Sequence, residues 1–410
     1  MKYIEKNTLF YALQSGFRPK HSCHTALARL HNTWLDAINN RHMVGAVYLD
    51  LRKAFDLVDH SVLIEKLKLY LQNTASTDFF SSYLSQRQQS VLVHGSYSAL
   101  KDVKCGVPQG SILGPVLFGL YINDLPLSIT DEDATLELFA DDSTLHTQSN
   151  CFSKIQQTLQ ISLNDINNWC TENRMVLHPQ KSKSMLVTTR QKRQLRKRLK
   201  QPLTLNLKIE NTEIDQVEEH RLLGVIFNED LSWQPHIEHI SKRISRNLYL
   251  MRKLKDLVTA DALKSFFHAH CISYINYSST VWFRASENHI KALESLYKRG
   301  IKILNNDPNI TTSQKCKHLD LLSLYNQFAY NASTLMYKVF IGEAPEYLRG
   351  FFERSHKENR HPNYILPKPR IDLYKEGLAF WGSSVWKSLP LECKLSLLSN
   401  GEFVMSLNTH

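Results

Sequence analysis

The first part of the chain alternates between apolar runs typical of strands and apolar residues at helical spacing. The run MVGAVYLDL (43–51) predicts a buried strand, and HSVLIEKLKLYL (60–71) predicts a helix. Next, SVLVHG (90–95) predicts a short strand, and residues 105–124 begin as a Gly/Pro loop and continue as a buried helix. Together these segments predict a strand, then a helix, then an insertion that contains the short strand.

Two adjacent aspartates, Asp141 and Asp142, lie between the next two strand patterns. LELFA before them and STLHTQ after them predict a hairpin with the aspartates in its turn. An amphipathic helix over 152–172 and a strand over 183–189 follow. The order β-α-insertion-β-β-α-β is the split βαβ arrangement of an α+β fold. It allows Asp50 and the hairpin turn to lie on neighbouring strands.

The chain beyond residue 190 is more basic. Residues 190–200 hold seven Lys and Arg among eleven positions, which fits a solvated mobile loop, a phosphate-contacting loop or a nuclear-import signal. HRLLGVIFNEDLSW (220–233) predicts a second hairpin, and 236–257 predicts a helix with one apolar and one basic face. After about residue 305 no chemical pattern is readable.

Composition narrows the class of protein. With 42% apolar and 22% charged residues, the chain is typical of globular proteins. The longest apolar stretch (112–122) is too short to cross a bilayer, so we expect no membrane partner. The net charge of +11 indicates a polyanionic partner, with nucleic acid ahead of a membrane surface. Seven scattered cysteines and the lack of a secretory signal predict a nuclear and cytoplasmic protein.

Asp50, Asp141 and Asp142 form a candidate metal site. Carboxylates on neighbouring strands suit Mg²⁺, which takes a few oxygen ligands and keeps its other positions for water and phosphate. Two such ions about 4 Å apart can clamp an in-line phosphoryl transfer. Without a cation, the clustered carboxylates repel one another. Because Asp-Asp alone is common in hairpin turns, the assignment depends on the neighbouring motifs.

Five motifs follow one another along the chain: DLRKAFD (50–56), GVPQGSILGP (106–115), FADD (139–142), LHPQKSK (177–183) and RLLGV (221–225). Their order and spacing resemble motifs A to E of reverse transcriptases, particularly those of non-LTR retrotransposons (LINE-type, of the jockey or chicken-repeat kind). The resemblance begins at QSGFRP (14–19) and runs to about residue 255. GEAPEYL and WKSLP extend it more loosely toward the C-terminus.

The resemblance implies a catalytic and metal-binding set. Asp50 and Asp141 would be the principal ligands of two Mg²⁺ ions, with Mn²⁺ as a substitute, and the Leu51 carbonyl would add an oxygen. Asp142 would support them. Lys181 would protonate the leaving pyrophosphate, although a solvated surface lysine is the alternative. His178 stands where the family usually has Asn, which leaves the geometry of that loop open.

The resemblance also implies a nucleotide site. Backbone N–H groups around Lys53 and Ala54 would meet the triphosphate, and Phe55 would be the bulky gate that crowds the 2′ position. A core residue at a helix start is the alternative for Phe55. The loop under the templating base pair would contain Pro108, Gln109 and Gly110.

The implied function is an RNA-directed DNA polymerase that uses an RNA template, a DNA primer and dNTPs. Family members carry an N-terminal motif with basic fingers residues before QSGFRP, so we expect a truncated fragment. A catalytically silent nucleic-acid-binding remnant is therefore the alternative. An RNA-dependent RNA polymerase is less expected, because those enzymes place Asp where this chain has Phe55. The oligomeric state is left open.

The implied fold is a right-hand polymerase. Its expected parts are partial fingers (1–42), a palm with a fingers insertion (43–228), a helical thumb (229–305) and a C-terminal region of unknown role (306–410).

Overall fold

β-branched and aromatic runs form the strands, and the longest runs with helical spacing form the helices. The computed structural model describes residues 1–71, 73–198, 203–353 and 364–389. The strands are β1 (Met43–Leu49), β2 (Gln88–Gln89), β3 (Leu92–Val93), β4 (Ser96–Tyr97), β5 (Lys101–Asp102), β6 (Ala134–Phe139), β7 (Asp142–Ser149), β8 (Lys183–Val187), β9 (Lys208–Ile209), β10 (Thr212–Glu213), β11 (Asp215–Gln216), β12 (Glu219–Leu222) and β13 (Val225–Asn228).

The α-helices include every long amphipathic segment that the sequence predicts. They are α1 (Lys2–Lys6), α2 (Cys23–Asn39), α3 (His60–Leu71), α4 (Thr74–Leu84), α5 (Gly114–Tyr121), α6 (Phe152–Glu172), α7 (Arg190–Arg198), α8 (Gln234–Leu254), α9 (Ala260–Phe267), α10 (Ser273–Asn276), α11 (Ser279–Trp282), α12 (Glu287–Leu304), α13 (Thr312–His318), α14 (Leu324–Ile341), α15 (Glu346–Arg349) and α16 (Leu378–Ser388). Short 3₁₀ turns and one π-helical turn connect some of them.

The chain divides into two compact units. The first contains residues 1–22, 42–187 and 194–218, and the second contains 23–41, 188–193 and 219–410. The predicted boundaries of fingers, palm, thumb and C-terminal region stay a prediction.

The first unit is built on a five-stranded sheet with the order β11-β8-β1-β7-β6. β1 is central, antiparallel to both β7 and β8, and all seven of its residues are buried. α6 packs against β1 and β7. Gly45 permits this close packing, because a Cβ there would lie 2.3 Å from Ile155 Cγ2. The predicted α+β class and split βαβ order are confirmed.

The insertion between α3 and α5 is small and exposed. It contains α4 and two short two-stranded ladders, β2–β5 and β3–β4. The predicted strand over 90–95 is reduced to β3 and the first residues of a turn. An antiparallel bridge between Asp59 and Cys105 closes the base of the insertion.

The second unit is largely helical. The predicted hairpin is present as β12 and β13, and the basic amphipathic helix is α8. Aromatic rings hold its core, where Phe227 packs edge-on against Trp34 and Trp233. The expectation of a loop over 190–200 is wrong for 190–198, which form α7, and the remaining two positions lie outside the described residues. Within the described ranges, no helix has the length and apolar character needed to cross a membrane.

Candidate active site

Asp50 follows the central strand directly and is held through its backbone. Its carbonyl accepts the His178 N–H at 2.8 Å, and its own N–H donates to Ser182 Oγ at 3.2 Å. Ser182 is fully buried, and its hydroxyl also donates to the His178 carbonyl at 3.1 Å. The LHPQKSK segment therefore fixes the position from which the Asp50 carboxylate emerges.

Asp141 and Asp142 lie at the tight turn between β6 and β7. Phe139 pairs with Asp142, so Ala140 and Asp141 form a two-residue turn. Ala140 has a φ of 56°, the left-handed value that the first residue of such hairpin turns requires. Because Leu49 of β1 pairs with Ser143 of β7, Asp50 and Asp142 lie side by side at the ends of these neighbouring strands.

The three carboxylates share one electrostatic environment. Partial burial raises the pKa of Asp142 above its ordinary value, and the negative charges of Asp141 and Asp50 raise it further. Lys181 lies beside them, with its Nζ 3.9 Å from Asp50 Oδ2, and both side chains are exposed (65% and 40%). At that exposure the pair adds little stability, so Lys181 is free to turn toward a ligand.

The donor atoms of this edge fit a hard divalent cation, because they are carboxylate oxygens that repel one another. Leu51 forms a bridge with Leu177, but the hydrogen bonds on either side use the Asp50 carbonyl and the Arg52 N–H. The Leu51 carbonyl takes no part in these bonds. Among the described residues, no group of three His, Cys, Asp or Glu side chains is already arranged around a metal position. The predicted ligand set stays a prediction.

The turn after Asp50 presents Lys53, Ala54 and Phe55. Lys53 has a φ of 42°, and its carbonyl accepts the Asp56 N–H at 2.8 Å. Ala54 is buried, whereas Phe55 is half-buried and stacks on Phe118 with ring centroids 4.3 Å apart. Phe55 lies in the turn before α3, which begins at His60, so Phe55 is not at a helix start. Its ring also meets the Phe17 ring edge-on, with ring centroids 6.3 Å apart, and stays partly exposed.

The GVPQGS loop is attached to that same turn. Gly106 N–H donates to the Val58 carbonyl at 2.7 Å, and Val107 N–H donates to the Phe55 carbonyl at 2.9 Å. The Gln109 amide donates to Asp56 Oδ1 at 2.9 Å. The loop can approach so closely because a Cβ on Gly106 would lie 2.8 Å from the Asp56 carbonyl oxygen.

A second set of positions in this loop shapes its exit. Gly110 has a φ of 79°, and the Ser111 hydroxyl donates to the Pro108 carbonyl at 2.7 Å. Pro108, Gln109 and Gly110 are thereby carried on a loop next to Phe55. Their contact with a template or nucleotide stays a prediction.

Sequence reasoning missed two residues that support the carboxylates. Ser182 lies in the LHPQKSK motif and supports Asp50, but a serine at that position did not by itself indicate this role. Gln14 was quoted only as the start of the resemblance, yet its side-chain oxygen accepts the Ala140 N–H at 3.2 Å. Gln14 lies two residues before Gly16 in the QSGFRP segment, but no local pattern indicates its contact with Ala140, 126 positions away.

The segment that carries this site matches a known protein family. The model of the family "Reverse transcriptase (RNA-dependent DNA polymerase)" matches residues 1–227. The chain is 29% identical over 304 residues to the probable RNA-directed DNA polymerase from transposon BS of Drosophila melanogaster, covering 72% of this chain and 32% of that protein. It is 26% identical over 313 residues to the RNA-directed DNA polymerase from the mobile element jockey of the same organism, with the same coverage.

The chain thus spans about a third of the length of these relatives. Among solved structures, telomerase from Candida albicans aligns over 78% of this chain and 56% of its own, with 14% identity and a TM-score of 0.42, too distant a likeness to add to the family match.

Proposed function

Since the chain belongs to the reverse transcriptase family, we propose that it is the RNA-directed DNA polymerase of a non-LTR retrotransposon and extends a DNA primer along an RNA template with dNTPs. One observation carries the proposal: Asp50, Asp141 and Asp142 meet at the ends of adjacent strands inside the matched region. They lie close enough for the charges of Asp141 and Asp50 to raise the pKa of Asp142.

Asp50 and Asp141 would hold divalent cations, Mg²⁺ or Mn²⁺, with the Leu51 carbonyl and Asp142 as supporting groups. Two bound cations would supply activation of the primer 3′-hydroxyl and neutralisation of the departing pyrophosphate. The protein's own contribution is to hold the carboxylates in place beforehand. Ser182 and His178 fix the backbone at Asp50, so the site needs little reorganisation there.

Nucleotide selection is assigned to the turn that follows Asp50. The backbone N–H groups around Lys53 and Ala54 would meet the triphosphate. Phe55 cannot rotate freely because it stacks on Phe118 and meets Phe17 edge-on, so its exposed part would exclude a 2′-hydroxyl by shape. Gln109 and its neighbours Pro108 and Gly110 would lie under the templating base, joined to this turn through Asp56.

Lys181 would act as the general acid. Its ammonium group lies near Asp50 and is exposed, so it can reach a phosphate oxygen without breaking a buried contact. A proton given to the departing pyrophosphate would lower the barrier of that step.

Primer extension tests the proposal. The chain is incubated with a DNA-primed RNA template, Mg²⁺ and dNTPs, beside Asp141→Ala and Asp50→Ala. Asp78→Ala on α4 is the matched control, because it removes an exposed aspartate far along the chain from the motifs. We expect extension by the unaltered chain and the control, and none by the two site variants. No extension by the unaltered chain, or equal extension by all four, would remove the proposal.

A catalytically silent nucleic-acid-binding protein is the second candidate. It is favoured by the net charge of +11 and by the lack, within the described residues, of a preformed group of three metal-ligating side chains. It predicts duplex binding that weakens steeply with salt and no nucleotide incorporation. Templated, Mg²⁺-dependent synthesis rejects it, and a strong preference for rNTPs over dNTPs would indicate an RNA-dependent RNA polymerase instead.

We also propose that the protein works in the nucleus and the cytoplasm. The six cysteines in the described residues are all free thiols, which suits a reducing compartment. Microscopy of a fluorescent fusion tests this, and a signal confined to a membrane-bound secretory compartment would overturn it.

A further inference from the structure

The segment before the first long helix contains a buried glutamine that contacts the turn carrying Asp141. We infer that Gln14 is a positioning residue of the active site: its side-chain carbonyl holds the peptide N–H just before Asp141 and so fixes where that carboxylate stands. The inference rests on the proposed polymerase function for its activity readout, but it also has a readout that does not need activity.

Residues 13–16 run beside β6 as a short parallel addition to the sheet edge. Gln14 forms a parallel bridge with Leu138, the Ser15 N–H donates to the Leu138 carbonyl at 2.8 Å, and the Leu138 N–H donates to the Leu13 carbonyl at 3.1 Å. These bonds bring the segment to the end of β6. Leu138, the next-to-last residue of β6, is therefore held from outside the hairpin.

The Gln14 side chain continues this attachment into the turn itself. Gln14 has an exposed fraction of 0%, and its Oε1 accepts two N–H groups, that of Gly16 at 2.8 Å and that of Ala140 at 3.2 Å. Ala140 immediately precedes Asp141. The same oxygen thus ties its own loop and the catalytic turn together.

The backbone at this point needs such support. Ala140 has a φ of 56°, a region that costs a non-glycine residue about 1–2 kcal/mol. The support also depends on Gly16, because a Cβ there would lie 2.3 Å from the Ala140 nitrogen. Gly16 therefore lets the Gln14 carbonyl come within hydrogen-bonding distance of the turn.

A packing role alone does not explain a glutamine here. Within the described residues, the Gln14 Nε2 group is buried and has no hydrogen-bond partner. An unsatisfied buried donor is costly, and methionine would fill nearly the same volume without that cost. The residue type makes sense only through its oxygen, which has two donors.

Gln14→Met removes the acceptor at nearly constant shape and is the central variant. Gln216→Met is the matched control, because the Gln216 Oε1 accepts the Leu205 N–H at 2.6 Å, a similar bond in another part of the same unit. Gln14→Glu tests rescue, since burial favours its neutral form, which keeps a carbonyl acceptor of the same length. Gly16→Ala tests the close approach independently.

Steady-state primer extension separates positioning from structure. We expect Gln14→Met to lower kcat about 10- to 100-fold, the usual effect of losing a residue that positions a metal ligand. We expect KM for dNTP to change less than about twofold and the Mg²⁺ concentration for half-maximal rate to rise, because the Asp141 ligand is displaced and the nucleotide site is not. Gln14→Glu should recover part of kcat, and Gln216→Met should keep all of it.

Amide hydrogen exchange at Ala140 gives the readout that is independent of activity. We expect exchange to be roughly tenfold faster in Gln14→Met and unchanged in Gln216→Met. Unchanged exchange overturns the inference, and so does faster exchange with unaltered kcat and Mg²⁺ dependence. If the unaltered chain does not extend primers, the polymerase proposal fails by itself. Mn²⁺ binding, followed by electron paramagnetic resonance, then decides the inference: weaker binding by Gln14→Met supports it and equal binding overturns it.

Discussion

Lys66 and Asp142 both belong to the first unit, but their surroundings differ. Lys66 Nζ donates to the Tyr121 carbonyl at 2.7 Å and to Asp124 Oδ1 at 2.6 Å, and it lies 4.6 Å from the centre of the Trp169 ring. Burial lowers the pKa of Lys66, and Asp124 opposes that change. Asp142 faces two like charges, and its pKa is raised.

The difference separates a charge that the fold balances from one that it does not balance. The charge of Lys66 is balanced by groups that the fold supplies, so it needs nothing from outside. Within the described residues, the carboxylates at the ends of β1 and β7 are left unbalanced apart from Lys181, whose Nζ lies 3.9 Å from Asp50 Oδ2. An unbalanced cluster lowers stability and persists where a ligand supplies the missing charge.

The largest expected effect separates activity from stability at Asp141. Asp141→Asn should reduce primer extension by at least about 100- to 1000-fold, as removal of one preorganised electrostatic group does. It should leave the free energy of unfolding unchanged or raise it by up to about 1 kcal/mol, because one repulsive charge is lost. Extension assays and urea unfolding measure the two effects. A clear loss of stability would break the contrast with Lys66.

Lys66→Met should show the opposite behaviour and lower the free energy of unfolding by about 2–3 kcal/mol. A fully buried pair would cost more when broken, but the Asp124 side chain is 38% exposed and water compensates it in part. Lys68→Met is the control, because Lys68 makes only an exposed pair with Glu65 on the same helix and should change stability by less than about 0.5 kcal/mol. Equal urea midpoints for the two variants would contradict this prediction.

Phe55→Val tests whether the turn after Asp50 selects the sugar of the incoming nucleotide. A smaller side chain should raise the efficiency of rNTP incorporation relative to dNTP by about 10- to 100-fold, the usual worth of a shape contact in a pocket. Single-nucleotide incorporation kinetics measure the ratio. Phe79→Val on α4 replaces an exposed phenylalanine and should leave the ratio unchanged. If Phe55→Val also leaves it unchanged, Phe55 is a packing residue for Phe118.

The smallest effect is the pH dependence that Asp142 contributes. An unfolded aspartate titrates near pH 4, and the folded Asp142 titrates above that value. Between the two pKa values the folded protein binds the proton and the unfolded chain does not, so stability falls as pH rises through this window. Without divalent cations, the free energy of unfolding of Asp142→Asn should therefore increase relative to that of the unaltered protein as pH rises from 4 to 7, by under about 1 kcal/mol. Added Mg²⁺ should remove the gain. Urea unfolding across this range measures it, and a gain that grows toward low pH would have the wrong sign.

Much of the fold was predictable because its elements are long and strongly patterned. α3 and α6 begin and end where the apolar spacing predicts, and β1 with the β6–β7 hairpin brings Asp50 to Asp141 as expected. The family match confirms the resemblance to LINE-type reverse transcriptases that the ordered motifs indicated. The roles of the individual site residues stay predictions.

The rest depends on contacts between distant positions. The bond between Gln109 and Asp56 joins residues 53 positions apart, and that between Gln14 and Ala140 joins residues 126 apart, so no local pattern announces either. α7 was missed because its sequence has almost no apolar face. Its helix is anchored instead through Arg193, which forms ion pairs with Glu229 and Asp230.

The bridge between Asp59 and Cys105 has a consequence for how this protein can vary among its relatives. It fastens both ends of the insertion next to the turn that carries Phe55, so the length of the intervening chain does not set the position of the GVPQGS loop. Loop entropy grows only slowly with length. Residues can therefore be added to or removed from the tip of the insertion, around His94 and Gly95, while the loop and the carboxylates keep their spacing. A variable surface can evolve there while the candidate site stays unchanged.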